Sequence, residues 1–174
     1  MLDYNALKDK LLSDLNNITD TTQAMQKLGL SLQEYFLQNT DFKFSWIAFS
    51  SNGVPDPITT ANGKFISLQI LLYPSYTTDH DIAIKTLQNS LIVAFTMAFY
   101  TITDPGFSVS PGSFASSPLL QNLKINISNT TDRDIAMLDL SKSLIDWIKM
   151  QAPTQPVVGS HGIYIGSGNV IQIL

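Results

Sequence analysis

The sequence predicts an α+β domain, an antiparallel sheet with helices packed on it, and three observations carry that prediction. Apolar residues recur at helical spacing in 3–17, in 20–38 and from Thr131 to about Met150. They alternate at period two in 42–50 and 64–73, which is the strand signature. Between these lies 81–102, which ends in the uncharged run LIVAFTMAFYTI and reads as one nearly all-apolar buried helix. The order is helix, helix, strand, strand, buried helix, strand, helix and a terminal strand pair, an α+β arrangement.

In 3–17, Leu7, Leu11, Leu15 and Ile18 make one stripe, widened by Leu12 and broken by Asn16 and Asn17. In 20–38 the stripe is Met25, Leu28, Leu32, Tyr35 and Phe36, with Asp20 or Thr21 as the N-cap. Gly29 inside that helix costs about 1 kcal/mol against Ala, which points to a bend or to close packing. Phe42, Phe44, Trp46 and Ala48 share one face of the first strand. In the second, Ile66, Leu68, Ile70 and Leu72 oppose Phe65, Ser67, Gln69, Leu71 and Tyr73. An antiparallel pair is expected, joined by the long turn-rich connection 51–63.

Pro74 ends the second strand, and Thr78 with Asp81 forms a capping box that opens the apolar helix. From Leu91 onward the uncharged run rises only about 18 Å as a helix, against the roughly 30 Å of a bilayer core, so it reads as core rather than membrane span. Asp104-Pro105-Gly106 stops it, and 103–118 is a second long irregular stretch. Leu123, Ile125 and Ile127 alternate as a third strand. Thr131 caps the last helix, with Ile135, Leu138, Leu144, Ile145 and Ile148 inward. The domain plan is 1–151 as a single α+β domain, then 152–174 as a proline-containing linker with a C-terminal strand pair, about 162–166 and 169–174, turning at Ser167-Gly168.

Composition excludes several function classes. The chain has 174 residues, 44% hydrophobic and only 14% charged, with thirteen Asp, one Glu, nine Lys and one Arg. So few charges leave a surface with weak colloidal protection, which partner chains can cover. A net charge of −4 with scattered lysines offers no basic stripe, so no nucleic-acid partner is expected. Without cysteine there are no disulfides, thiolate metal sites or cysteine nucleophiles. The first residues hold acids and no apolar h-region, so a cytoplasmic location is expected and no membrane partner.

Catalytic constellations are weak. Asp79-His80-Asp81 is the one place where histidine sits among acids, and those aspartates also suit a helix start. His161 stands at the end of a glycine-rich linker, and two histidines so far apart give no metal spacing. Gly166-Ser167-Gly168 is followed by a strand rather than a helix, so it is neither a nucleophile elbow nor a phosphate loop. The reading is a non-enzymatic protein with no cofactor, no metal and no catalytic residue.

Contact residues are expected in three places. The loop 51–63 contributes Val54, Pro55, Asp56 and Pro57; the stretch 103–118 contributes Phe107 and Phe114. The uncharged terminal strands contribute Ile163, Tyr164, Ile165, Val170, Ile171 and Ile173, and they either complete the chain's own sheet or augment a neighbour's.

The low-charge, cysteine-free, Ser/Thr/Asn/Gln-rich composition, the two long loops and the element order over 20–128 resemble the small structural proteins of tailed-phage particles, of the neck, tail-terminator or baseplate kind. That resemblance implies an assembly protein, a ring-forming subunit in a virion with itself and other virion proteins as partners. It assigns no residue a role. A small-ligand module, with a pocket between strand 42–50 and the apolar helix, is the alternative. A metal-dependent or hydrolytic enzyme using the His80 region ranks third.

Overall fold

The structure, a computed structural model, describes residues 1–174. Four helices and an antiparallel sheet form one α+β unit: α1 (Tyr4–Asp14), α2 (Thr21–Asn39), β1 (Asp41–Phe49), β2 (Thr60–Ser67), α3 (His80–Thr96), β3 (Phe99–Ile102), β4 (Phe107–Ser110), β5 (Gly112–Ser113), α4 (Arg133–Lys149), β6 (Val157–His161) and β7 (Tyr164–Ile173). Each helix starts on an aspartate: the carboxylates of Asp3, Asp20, Asp79 and Asp132 accept from backbone N–H groups of the first turn. The excess of Asp over Glu therefore has a local cause. Asp79 and Asp132 take the roles expected of Thr78 and Thr131, because each lies next to the first helical residue.

The seven strands follow the order β4-β6-β7-β1-β2-β3-β5. All neighbouring pairs are antiparallel, including the expected pairing of β1 with β2. β4 and β5 stand at opposite ends of this order, yet only Pro111 separates them in the chain. The sheet must therefore curl until its two edges nearly meet, which leaves no long free edge. Ile102 of β3 accordingly reaches across the concave side to Gly168 of β7, its Cδ1 3.2 Å from where a Cβ would stand.

Helices and sheet share one cluster of 36 buried apolar residues. Its centre is aromatic: Phe42 stacks on Tyr100, and Phe95 of α3 meets Phe36, Phe65 and Trp147 edge-on. These rings fill the space between β1 and α3 where a ligand pocket was expected.

Several expectations are corrected. The segment 81–102 is not one helix: α3 ends at Thr96, and Phe99–Ile102 forms β3, as its aromatic and β-branched residues favour. Nor is α3 enclosed, since its Ile82 and Val93 are 54% and 63% exposed. The stretch 103–118 holds β4 and β5, and 51–63 ends inside β2.

The second strand stops at Ser67, with a register shift between Phe65 and Ser67 that leaves Ile66 and Ser67 both outward and brings Leu68 inward. Beyond it 68–73 stays extended, with Leu68, Ile70 and Leu72 buried, but crosses α2 instead of joining the sheet. There Gln33 Oε1 accepts from the N–H of Ile70 at 3.1 Å. Gly29 answers to this crossing, since a Cβ there would lie 2.7 Å from the Ile70 carbonyl oxygen.

The third strand is absent. Residues 123–128 alternate as expected, but side chains of Gln88, Ser143 and Asp139 take the N–H groups of Ile125, Asn126 and Ser128, so no ladder forms. The closing hairpin is also shifted. Its turn is at Gly162-Ile163, with Gly162 at φ 57°, and Ser167 and Gly168 lie within β7. What read as a linker end, 157–161, is β6. β7 lies between β6 and β1 in the middle of the chain's own sheet.

Candidate interaction surface

At the Phe49 end of β1, three remote segments meet: the loop 50–59, the turn between β3 and β4, and the β6–β7 turn. Trp46 faces inward on β1, and its indole N–H donates to Asp56 Oδ2 at 3.0 Å. The other oxygen of Asp56 accepts from the N–H of Ile58 at 2.9 Å, and its own N–H donates to Ala48 O at 2.9 Å. His161, the last residue of β6, places Nδ1 2.9 Å from Asp56 Oδ2. Its ring stacks on Phe107 at 4.6 Å, and Phe107 meets Trp46 edge-on at 5.0 Å. The N–H of Gly162 donates to Gly106 O, which closes the ring of segments.

Only 1% of the Asp56 side-chain surface is exposed, so its charge depends on these partners. Burial pushes its carboxyl up, but the hydrogen bonds from Ile58, Trp46 and His161 outweigh that and hold it below the ordinary carboxylate range. Ser160 and His161 are successive residues of one strand and face opposite sides of the sheet, so they do not converge on one reacting centre. His80 lies elsewhere, in an open hollow of about 470 Å³ beside Asp81 and Asp139. No group of three His, Asp or Glu side chains is placed to hold a metal ion.

The outside of this tip is apolar. Phe49 of β1 stands directly opposite Ile165 of β7, and Ile47 stands opposite Ser167, which faces Val158 of β6 on its other side. Ile163 and Ile165 are 74% and 72% exposed, and Ile47, Phe49, Val54 and Val158 are each more than half exposed. Residues 50–59 and 151–174 contain no Lys, Arg or Glu, and their one acid is the buried Asp56. The outward faces of β1, β6 and β7 here are thus apolar and held on paired strands, and the β3–β4 turn beside them carries a charged side chain, Asp104, whose carboxylate accepts from Asn62. No helix of the chain is long and apolar enough to cross a membrane.

Of the residues expected to make contacts, Val54, Pro55, Pro57, Ile163 and Ile165 stand exposed at the tip, with Tyr164 half-buried among them. Phe107 and Asp56 lie beneath, as supports. Phe114 is fully buried against Phe42, Phe65 and Phe95, and Ile173 is also in the core, so neither is available for contact. Val170 packs on the core, while Ile171 is the extra residue of a bulge and points outward near the other end of β7. Sequence reasoning missed Ile47, Phe49, Val158 and His161. The signal for the first two was present, since β1 carries large apolar residues on both faces at its end. Comparison of the chain with protein-family models, curated proteins and solved structures found no match.

Proposed function

We propose that this chain is a structural subunit that works by protein–protein contact, associates with further copies of itself, and belongs to a ring-shaped part of a phage neck or tail. The observation that carries the reading is the tip surface of Phe49, Val54, Ile163 and Ile165, an exposed apolar patch free of charge on a rigid sheet end. Monomeric proteins keep such contiguous patches small, and larger ones mark sites of association. The 14% charged composition agrees, because surface covered by partners needs little charge. The stacked rings between β1 and α3 leave no room for a small ligand there, which favours assembly over a ligand module.

The test is the solution mass across a wide range of concentration for the native chain and for Phe49→Asp and Ile165→Asp. Both positions are at least half exposed, so the fold tolerates the change. A concentration-dependent oligomer that either substitution disperses is expected. A native chain that stays monomeric, or an oligomer that both variants retain, would overturn the reading.

A further inference from the structure

We propose that copies of this chain join head to tail, the apolar tip of one seated in a groove at the opposite end of the next. This rests on the assembly reading above and adds the partner surface.

The groove lies between α2 and 68–73. Leu30, Gln33, Ile70, Leu71, Leu72 and Tyr73 line it, around a volume of about 380 Å³. Leu71 and Tyr73 are 56% and 67% exposed, and no lining residue is charged. Its backbone is also unused: apart from Ile70, no peptide N–H of 69–73 donates within the chain. An extended segment with free peptide groups and outward apolar side chains is a ready template for another chain.

The two surfaces lie at opposite ends of the sheet. β1 runs from Asp41, paired with Lys64, to Phe49 at the tip, and antiparallel β2 returns so that Ser67 leaves at the helix end. The nine residues of β1 separate these ends by roughly 26 Å at the rise of an extended strand. The tip offers outward apolar side chains on β1, β6 and β7, and the groove is a hollow between α2 and 68–73 in which such side chains can be covered.

Charge argues for a second copy as the occupant. Chains of net charge −4 repel one another, and contact is cheapest where both faces carry no charge. The patch of Phe49, Val54, Ile163 and Ile165 and the groove are two such faces. A contact between two different surfaces of one chain is heterologous, so it propagates into a closed ring or an open fibre instead of stopping at a two-fold dimer.

The test pairs two variants. Ile165→Asp spoils the tip and leaves the groove; Leu71→Asp spoils the groove and leaves the tip. Circular dichroism first establishes that both fold. Each alone is expected to be monomeric, and an equimolar mixture to form a one-to-one dimer, since one intact tip then meets one intact groove. Leu71→Asp that assembles like the native chain, while Ile165→Asp does not, would overturn the head-to-tail contact and leave the assembly reading standing. A mixture that stays monomeric would also overturn it. A native chain monomeric at every concentration would remove both proposals.

Discussion

His161 and Asp56, 105 positions apart in the chain, meet through Nδ1 and Oδ2 at 2.9 Å, and this contact joins the closing hairpin to the loop after β1. The same Oδ2 takes the indole N–H of Trp46, so one buried carboxylate organises the end of the sheet on which the apolar tip stands. The segments of the tip are therefore tied to one another through the interior, and a preorganised surface loses less entropy on association.

Asp56→Ala strips acceptors from Trp46, Ile58 and His161 inside the protein. Each buried group left unpaired costs about 1–3 kcal/mol. The expected loss is about 3 kcal/mol, read as a lower urea midpoint with an unchanged slope. A change below about 0.5 kcal/mol would show that water replaces the carboxylate and that the loop is not anchored there.

Acid should weaken the fold, and the sign follows from three depressed carboxyls. Asp56 is held low by the hydrogen bonds that outweigh its burial, Asp14 chiefly by the Lys10 ammonium, and Asp139 chiefly by the hydroxyl and N–H of Ser128. A folded value below the unfolded one means that the unfolded chain binds more protons as pH falls. Their contribution is thus full above the ordinary Asp value of about 3.9 and is lost as pH drops through the lower folded values. Urea midpoints measured from pH 6 down to pH 2 should be flat at first and then fall below about pH 4. Asp56→Asn should show a shallower fall, and a slope unchanged from the native chain would remove Asp56 from the set.

Gly29→Ala reverses the usual helix rule. In an exposed helix the change gains about 1 kcal/mol of propensity. Here the new Cβ would sit 2.7 Å from the Ile70 carbonyl, a backbone atom that cannot step aside without lifting 68–73. A net destabilisation of about 1–3 kcal/mol is expected from such overpacking, measured by thermal or urea unfolding. A stabilised variant would mean that the crossing segment is free to shift.

The pattern of apolar residues showed the helices and the β1–β2 pair, because both depend on local periodicity. It failed where one residue changed the phase. The register shift beside Ile66 and the bulge at Ile171 each add a second consecutive outward residue, so Leu68 and Ile173 face inward one step later than alternation from Phe65 and Val170 places the next inward residue. The handover from α3 to β3 falls inside an unbroken apolar run, where helix and strand periods look alike. Segments 68–73 and 123–128 have strand alternation but pair with helix side chains, a choice made by the tertiary environment. The link between Asp56 and His161 leaves no sequence signal at all, since only the curl of the sheet brings them together.

Removal of the closing strands tests that curl directly. A chain ending at Ala152 loses β6 and β7, and with them the neighbour of β1 along most of its length. Val157 and Ile173, 0% and 3% exposed, leave the core, Trp46 and Phe44 lose the strand beside them, and Asp56 loses His161. Full burial of one large aliphatic side chain contributes about 1.5–3 kcal/mol, so these two alone approach the lower end of the roughly 5–15 kcal/mol of stability that a domain holds. The truncated chain should therefore lack a cooperative unfolding transition and near-ultraviolet dichroism, instead of emerging as a folded monomer. A folded, cooperative 1–152 fragment would show that helices and β1–β3 form a core without the terminal strands, and β7 would then be an exchangeable element of the sheet.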